Sequence, residues 1–382
     1  MTSVTTAGGD VVIDGQPTLL FGMWMPQTAA NAEAGIDNLG VNLIIGTDPA
    51  SGQADGNIAA AVSGQAWVLQ AAGDASQPDQ LGVFLADEPD GYGLQPSEFA
   101  NLATARGITF QNYTLHIADG FQPNPSISVA DYPAYLANLG AHGVASLDFY
   151  PVNVYSCSQQ PLTVSSVYDY VAKLRARVPV GMPVGAYIET GSMNVSSCPE
   201  PVTPTDIVDE MRLAAAAGAT VINPWVYSWS PLAQVPYEIS SDNAAAVAGE
   251  IRELQRFSSI LLAPQDTALV SPIGDDLKLG VRFAGQGSSR TDYAIAVNGT
   301  SRPESWTGKL PGLAAQPLTS VIDGSTVTPA GGTATLTVPP NSWQIYGYAP
   351  LATTAGQQAK TQRRSKTAGL YRRAATPIQT MH

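Results

Sequence analysis

Gly82-Val83-Phe84-Leu85-Ala86-Asp87-Glu88-Pro89 and Val184-Gly185-Ala186-Tyr187-Ile188-Glu189 are two apolar runs, each closed by a glutamate. Runs of this length with little polar alternation read as strands buried on both faces, the kind found in parallel sheets. Six further runs of the same texture flank them. The expected strands are 18–25, 41–46, 66–71, 83–87, 108–113, 144–150, 184–189 and 221–227. Between them lie stretches of helical character at 29–39, 58–62, 96–105, 130–139, 164–178 and 205–217, and a last one follows at 243–262. Gly40, Gly107, Gly140 and Gly218 stand where helices should stop. Strand and helix alternating over about 240 residues argue for a parallel β/α fold. Eight such units favour a closed (β/α)8 TIM barrel over an open, doubly wound sheet. The short link 74–80 between the third and fourth strands leaves no room for a full helix.

Both ends of the chain differ from this pattern. At the start, Val11-Val12-Ile13-Asp14-Gly15-Gln16-Pro17-Thr18 reads as strand, turn, strand, with Asp14-Gly15 as the hairpin signal. After Pro264, alternating stretches such as Leu277–Phe283, Tyr293–Val297, Thr333–Val338 and Ser342–Tyr348 are separated by turn residues. They predict a small antiparallel β-sandwich domain. The expected organisation is a barrel with its N-terminal hairpin over 1–263, a sandwich over 264–350 and a basic C-terminal tail over 351–382. That tail holds Lys360, Arg363, Arg364, Lys366, Arg372 and Arg373 and no acid, so the net charge of −13 hides a still more acidic body.

The composition narrows the function. An acidic body argues against nucleic acid as the main ligand. No apolar run is long enough for a membrane span. The N-terminus shows neither a basic n-region nor an apolar h-region, so no Sec signal is legible. Of three histidines, His142 precedes the sixth strand and so falls on the face away from the glutamates. A Ser-His-Asp triad, a zinc site, a P-loop and a Rossmann turn all lack their residues, and no cofactor is expected. The only cysteines, Cys157 and Cys198, follow the sixth and seventh strands. A disulfide across the rim and two free thiols remain equal alternatives. The basic tail 351–382 is either a solvated tail or the contact to a protein partner or a second copy.

The chemistry lies in the two glutamates. In a barrel both would project from the C-terminal face, where active sites form. Two carboxylates across a pocket are the minimum for glycoside hydrolysis. Here the chain resembles retaining glycosidases of glycoside hydrolase clan A, which are (β/α)8 barrels, often with a C-terminal β-sandwich. Asp87-Glu88-Pro89 at the end of the fourth strand is similar to their Asn-Glu-Pro motif, and Glu189 ends the seventh. The resemblance covers about residues 11–350. It implies that Glu88 is the acid/base and Glu189 the nucleophile, with a carbohydrate as substrate. Glu88 would protonate the departing oxygen and later activate water.

Asp87 departs from the motif: it can accept a hydrogen bond from a sugar hydroxyl but cannot donate one. Its charge would also hold a proton on Glu88. The resemblance further implies that Tyr150 supports the nucleophile and that Trp225 forms a sugar platform. Trp24 and Tyr113, on the first and fifth strands, are candidates for the same wall, with ordinary core packing as their alternative. A second reading makes the chain a non-catalytic, carbohydrate-binding part of a phage tail or other surface assembly that kept the barrel. Either role places it outside the cell or on a particle acting on a cell envelope, with a cytoplasmic location left open.

Overall fold

A computed structural model describes residues 3–26, 28–46, 55–71, 79–100, 102, 107–114, 116–119, 124–153, 162–191, 201–225, 227–229, 237–266, 276–285, 290–313 and 316–349. Cys157, Cys198 and the tail 351–382 lie outside these residues, and so do most of the loops after the sixth and seventh barrel strands.

Eight parallel strands close into a barrel. In chain order they are Leu20–Trp24, Leu43–Ile45, Trp67–Ala71, Gln80–Phe84, Ile108–Tyr113, Gly143–Asp148, Val184–Glu189 and Val221–Trp225. They are called barrel strands one to eight below. Strand eight pairs with strand one through Val221↔Leu20 and Ile222↔Phe21, which completes the closure. The strands are apolar throughout because both faces are covered. An inner cluster with Leu20, Leu43, Leu69, Phe110, Val144 and Val221 fills the barrel. An outer cluster including Phe21, Ile44, Val68, Leu147, Ile188 and Ile222 packs under the helices.

The helices start and stop on local signals. Ala29–Leu39 is capped by Thr28, whose side chain accepts from the Asn31 amide, and ends at Gly40 in the left-handed region. Pro204–Ala217 begins with a capping box between Thr203 and Asp206 and ends at Gly218. Of the helix expected over 96–105, the described residues form a 3-10 turn, Pro96–Phe99, held by the reciprocal bonds of Gln95 and Glu98.

Strand four differs most from expectation, lying about three residues earlier than the apolar run suggests. It starts after Asp79, whose positive φ and side-chain bonds from Ser63 and Gly64 fix a turn there. Residues 85–88 then leave the regular ladder but stay tied to strand five: the Leu85 amide donates to Phe110 and the Glu88 amide to Asn112. The two strands run so close that a Cβ on Gly82 would enter the Ile108 carbonyl.

The expected hairpin is present, with Asp14 and Gly15 both at positive φ as a two-residue turn requires. A strand not read from the sequence, Val4–Ala7, joins Asp10–Ile13 and Gln16–Thr18 in a three-stranded antiparallel sheet. Thr6 accepts no role in the barrel ladder but donates to His142, and Gly9 bonds Gly181 and Thr220. These partners precede strands six, seven and eight, so the sheet closes the N-terminal end of the barrel. The C-terminal end is left for a site.

Beyond Leu261 two antiparallel sheets follow, one of five strands and one formed by Glu304–Gly308 with Ala334–Val338. The larger sheet presses on the helix Pro204–Ala217. Arg282, fully buried, donates to the carbonyls of Ala215, Ala216 and Leu261. Lys278 is paired at 2.9 Å with Asp169 of the helix Ser166–Arg177.

Candidate active site

The C-terminal ends of strands four to eight carry polar side chains on inward positions. Residues alternate faces along a strand. On strand six Val144 lies in the inner cluster, so Ser146 and Asp148 share its side. On strand five, Asn112 shares its side with Phe110 in the same way. Tyr187, Tyr150, Trp225 and Trp24 all belong to the inner cluster. The barrel interior thus turns from aliphatic at its floor to polar and aromatic at its mouth.

Asp87, Glu88 and Asp148 meet there. Asn112 Nδ2 donates to Asp87 at 2.9 Å and to Asp148 at 2.7 Å. Both bonds end on one nitrogen, so these two carboxyl oxygens can stand no farther apart than the two bonds laid end to end. The Asp148 carboxyl in turn hydrogen-bonds Glu88. All three keep some contact with solvent.

Glu88 is held in an unusual way. Its φ of 42° is left-handed, a conformation that costs a non-glycine residue roughly 1–2 kcal/mol. It precedes the short helix Pro89–Tyr92, which Asp90 pins by accepting from the Thr114 amide, the Thr114 hydroxyl and the Tyr132 hydroxyl. Strain that the surroundings enforce in this way tends to gather at functional sites.

The carboxyls raise one another's proton affinity. Burial, followed by the charges of Asp87 and Asp90, pushes Glu88 up to about 7, against a lowering by the Asp148 hydrogen bond and by His116. Burial pushes Asp87 up to about 6 although the Asn112 bond opposes it. Asp148 is raised well above the carboxylate range by burial and by the charges of Asp87 and Glu88. Near neutral pH the cluster therefore keeps a proton that it can give.

An aromatic wall stands beside it. The rings of Trp24 and Trp225 lie 6.2 Å apart and those of Tyr150 and Trp225 5.8 Å apart. The phenols of Tyr150 and Tyr187 both feel the charges of Asp148, Asp87 and Glu88, which join wall and acids in one site. Of the residues singled out from sequence, Asp87, Glu88, Tyr150, Trp225 and Trp24 come together here. Tyr113 does not. It alternates with Asn112, packs edge-on against Tyr132 and Tyr135 in the outer layer, and donates to Gln111. Its place is a packing place, not the pocket.

Glu189 keeps different company. It ends strand seven opposite Trp225, as expected, yet is 0% exposed. One carboxylate oxygen accepts from the Val152 amide at 2.8 Å and the other from the Asn153 amide at 2.9 Å. Its side chain also hydrogen-bonds Glu210 of the helix Pro204–Ala217. Burial and the Glu189 charge raise Glu210 well above the carboxylate range, so Glu210 supplies the proton that the two share.

No family model matches the sequence, and no curated protein matches it. Solved structures do align along most of the chain. A GH30 endoxylanase from Clostridium papyrosolvens C71 is 12% identical, with 91% of this chain and 99% of that one covered and a TM-score of 0.43. A putative alpha-galactosidase from Bacteroides fragilis NCTC 9343 is 11% identical, over 87% of this chain and 79% of its own, with a TM-score of 0.49. A third, described as a glycoside hydrolase, is 11% identical over 92% and 98%, also with a TM-score of 0.49. At such identity no residue's role passes from them to this chain.

Asp148, Asn112 and Tyr187 were not singled out from the sequence. In strand six the alternation of Ser146 and Asp148 is a signal that could have found Asp148; in strand five the polar Thr109 and Gln111 fall on the other face, so Asn112 carries no such signal. Among the described residues no group of His, Cys, Asp and Glu is arranged to hold a metal ion, and no helix is long and apolar enough to cross a membrane.

Proposed function

We propose that the protein is a glycoside hydrolase acting on a poly- or oligosaccharide, with Glu88 as the proton donor. The observation that carries this reading is the carboxyl of Glu88, raised to about 7 within a carboxyl cluster at the barrel mouth. A general acid works best when its pKa lies near the working pH. The aromatic wall of Trp24, Tyr150 and Trp225 supplies apolar ring faces for the C–H face of a sugar. The three solved structures described above bear glycosidase names, which agrees with this reading without carrying it.

Glu88 protonates the glycosidic oxygen as the bond to the anomeric carbon breaks, and a carboxylate on the other side meets the developing positive charge. The clan resemblance gives that second role to Glu189, and its place at the end of strand seven supports the assignment. Its contacts support another one. Both Glu189 oxygens hold the loop after strand six, while Asp148 stands in the pocket hydrogen-bonded to Glu88. Sugar release by E88Q, E189Q and D148N, with and without azide, separates the two. Loss in E88Q that is relieved on aryl glycosides, whose leaving groups need no proton, identifies the acid. Azide rescue of E189Q makes Glu189 the nucleophile; rescue of D148N alone gives it a bracing role. The anomer first released, read by NMR, decides between retention and inversion. If E88Q releases sugar as fast as the wild type, the proposal is wrong.

A further inference from the structure

Hydrolysis of a neutral sugar needs two carboxyl groups, one to give a proton and one to meet the anomeric carbon. The mouth of this barrel brings three together, and the charge of Asp90 acts on two of them, Asp87 and Glu88. Among the described residues no lysine or arginine is ion-paired with Asp87, Glu88 or Asp148; the pairs that form are all elsewhere. The acceptor surplus extends further. Asn112 spends its amide nitrogen on two carboxylates and leaves its Oδ1 buried with no partner. The buried hydroxyls of Tyr150 and Tyr187 also have none, although both stand in the field of the three acids. Buried polar atoms without partners are uncommon in folded proteins and mark a place where something else supplies the bond.

We propose that the sugar bound at this site is an amino sugar with a free ammonium group, held between the Asp87 and Asp148 carboxyl groups and the rings of Tyr150 and Trp225. This inference rests on the glycosidase reading for the kind of ligand, but not for turnover. An ammonium brings three donors and no acceptor, which complements a site rich in acceptors. A positive charge over an aromatic face gains about 0.5–2 kcal/mol, the more so when desolvated. A bound cation favours ionisation of the three carboxyls, whose proton affinity burial and mutual repulsion have raised, whereas the carboxylate of a uronic acid would raise it further.

The test is calorimetric binding of a glucosamine oligosaccharide to the full chain at pH 6 in low salt. It is compared with the fully N-acetylated oligomer of the same length and with a uronate oligomer. The free amine should bind at least about ten-fold tighter than its acetylated form. D87N, or D148N if D87N does not fold, should remove that preference. E33Q, at an exposed position of the helix Ala29–Leu39 and outside the carboxyl cluster, controls for attraction to an acidic protein and should keep it. Equal affinity for the two oligomers, no binding of the free amine, or a preference that E33Q weakens as much as D87N does would overturn the proposal. Sugar release is measured separately. Asp87-dependent binding of the amine without release would sink the hydrolase reading and leave this one standing. Release of a neutral sugar with no preference for the amine would do the reverse.

Discussion

Replacing Glu88 by Gln should make the protein more stable, and only at high pH. The folded protein raises this carboxyl from 4.5 to about 7. The unfolded chain therefore gives up the proton more readily than the folded one. As pH rises from about 4.5, unfolded molecules gain from ionising Glu88 and folded ones do not, so stability falls until the folded carboxyl also ionises near pH 7. Each pKa unit is worth about 1.4 kcal/mol, so the wild type loses up to about 3 kcal/mol across this window. A glutamine never ionises and suffers no such loss. It keeps an oxygen to accept from protonated Asp148. Removing the Glu88 charge also eases ionisation of Asp87 and Asp148, which adds to the gain. Urea unfolding of both proteins at pH 4.5 and pH 8 measures the effect. The stability of E88Q relative to wild type should rise by about 2–3 kcal/mol between the two, while its activity is lost, the trade expected of a strained catalytic group. A difference that stays the same at both pH values would refute the reasoning, because it would mean that the carboxyl cluster does not hold a proton on Glu88.

Three further outcomes are expected. E210Q should be tolerated or mildly stabilising at pH 8, since glutamine imitates the protonated Glu210 that Glu189 requires; a loss above about 1 kcal/mol in thermal or urea unfolding would contradict this. E189Q should cost about 1–3 kcal/mol, because its amide nitrogen would face either the Val152 or the Asn153 N–H, and the melting curve checks it. D169N strands the Lys278 ammonium, 1% exposed, and should cost about 3–5 kcal/mol, whereas the paired change D169L/K278M should recover most of that; equal losses in the two proteins would show that the pair is not buried as described.

The barrel was legible in the sequence because its strands announce themselves on both faces. Strands five and seven came out at their observed limits, Ile108–Tyr113 and Val184–Glu189, since glycine or proline bounds the apolar run on one side. Strand four did not. Leu85 and Ala86 continue the apolar run, but the chain has already left the ladder, and nothing in the residue types reveals that Glu88 takes a left-handed φ. The site was legible in part for a related reason. Counting strands put Glu88 and Glu189 on the same rim, yet a strand count carries no information on which way a terminal side chain turns. Glu189 is claimed by two backbone amides and by Glu210, more than 20 residues onward, and that competition belongs to tertiary structure. Asp148 was passed over because an aspartate near a strand end is ordinary until Asn112 and Asp87 are seen beside it.

The burial of Arg282 bears on how the molecule comes apart. Ile295, Val297, Trp343 and Ile345 of the larger sheet belong to the same apolar cluster as the helices around the barrel. The guanidinium of Arg282 reaches across to the last turn of Pro204–Ala217, donating to the Ala216 carbonyl and sharing that of Ala215 with the Gly218 amide. The sheet thus works as a missing piece of the barrel's own outer wall. Cutting the chain near residue 264 would take the guanidinium from the Ala216 carbonyl and leave an oily seam open to water, so the two halves should melt in one cooperative step and resist exchange as separate modules.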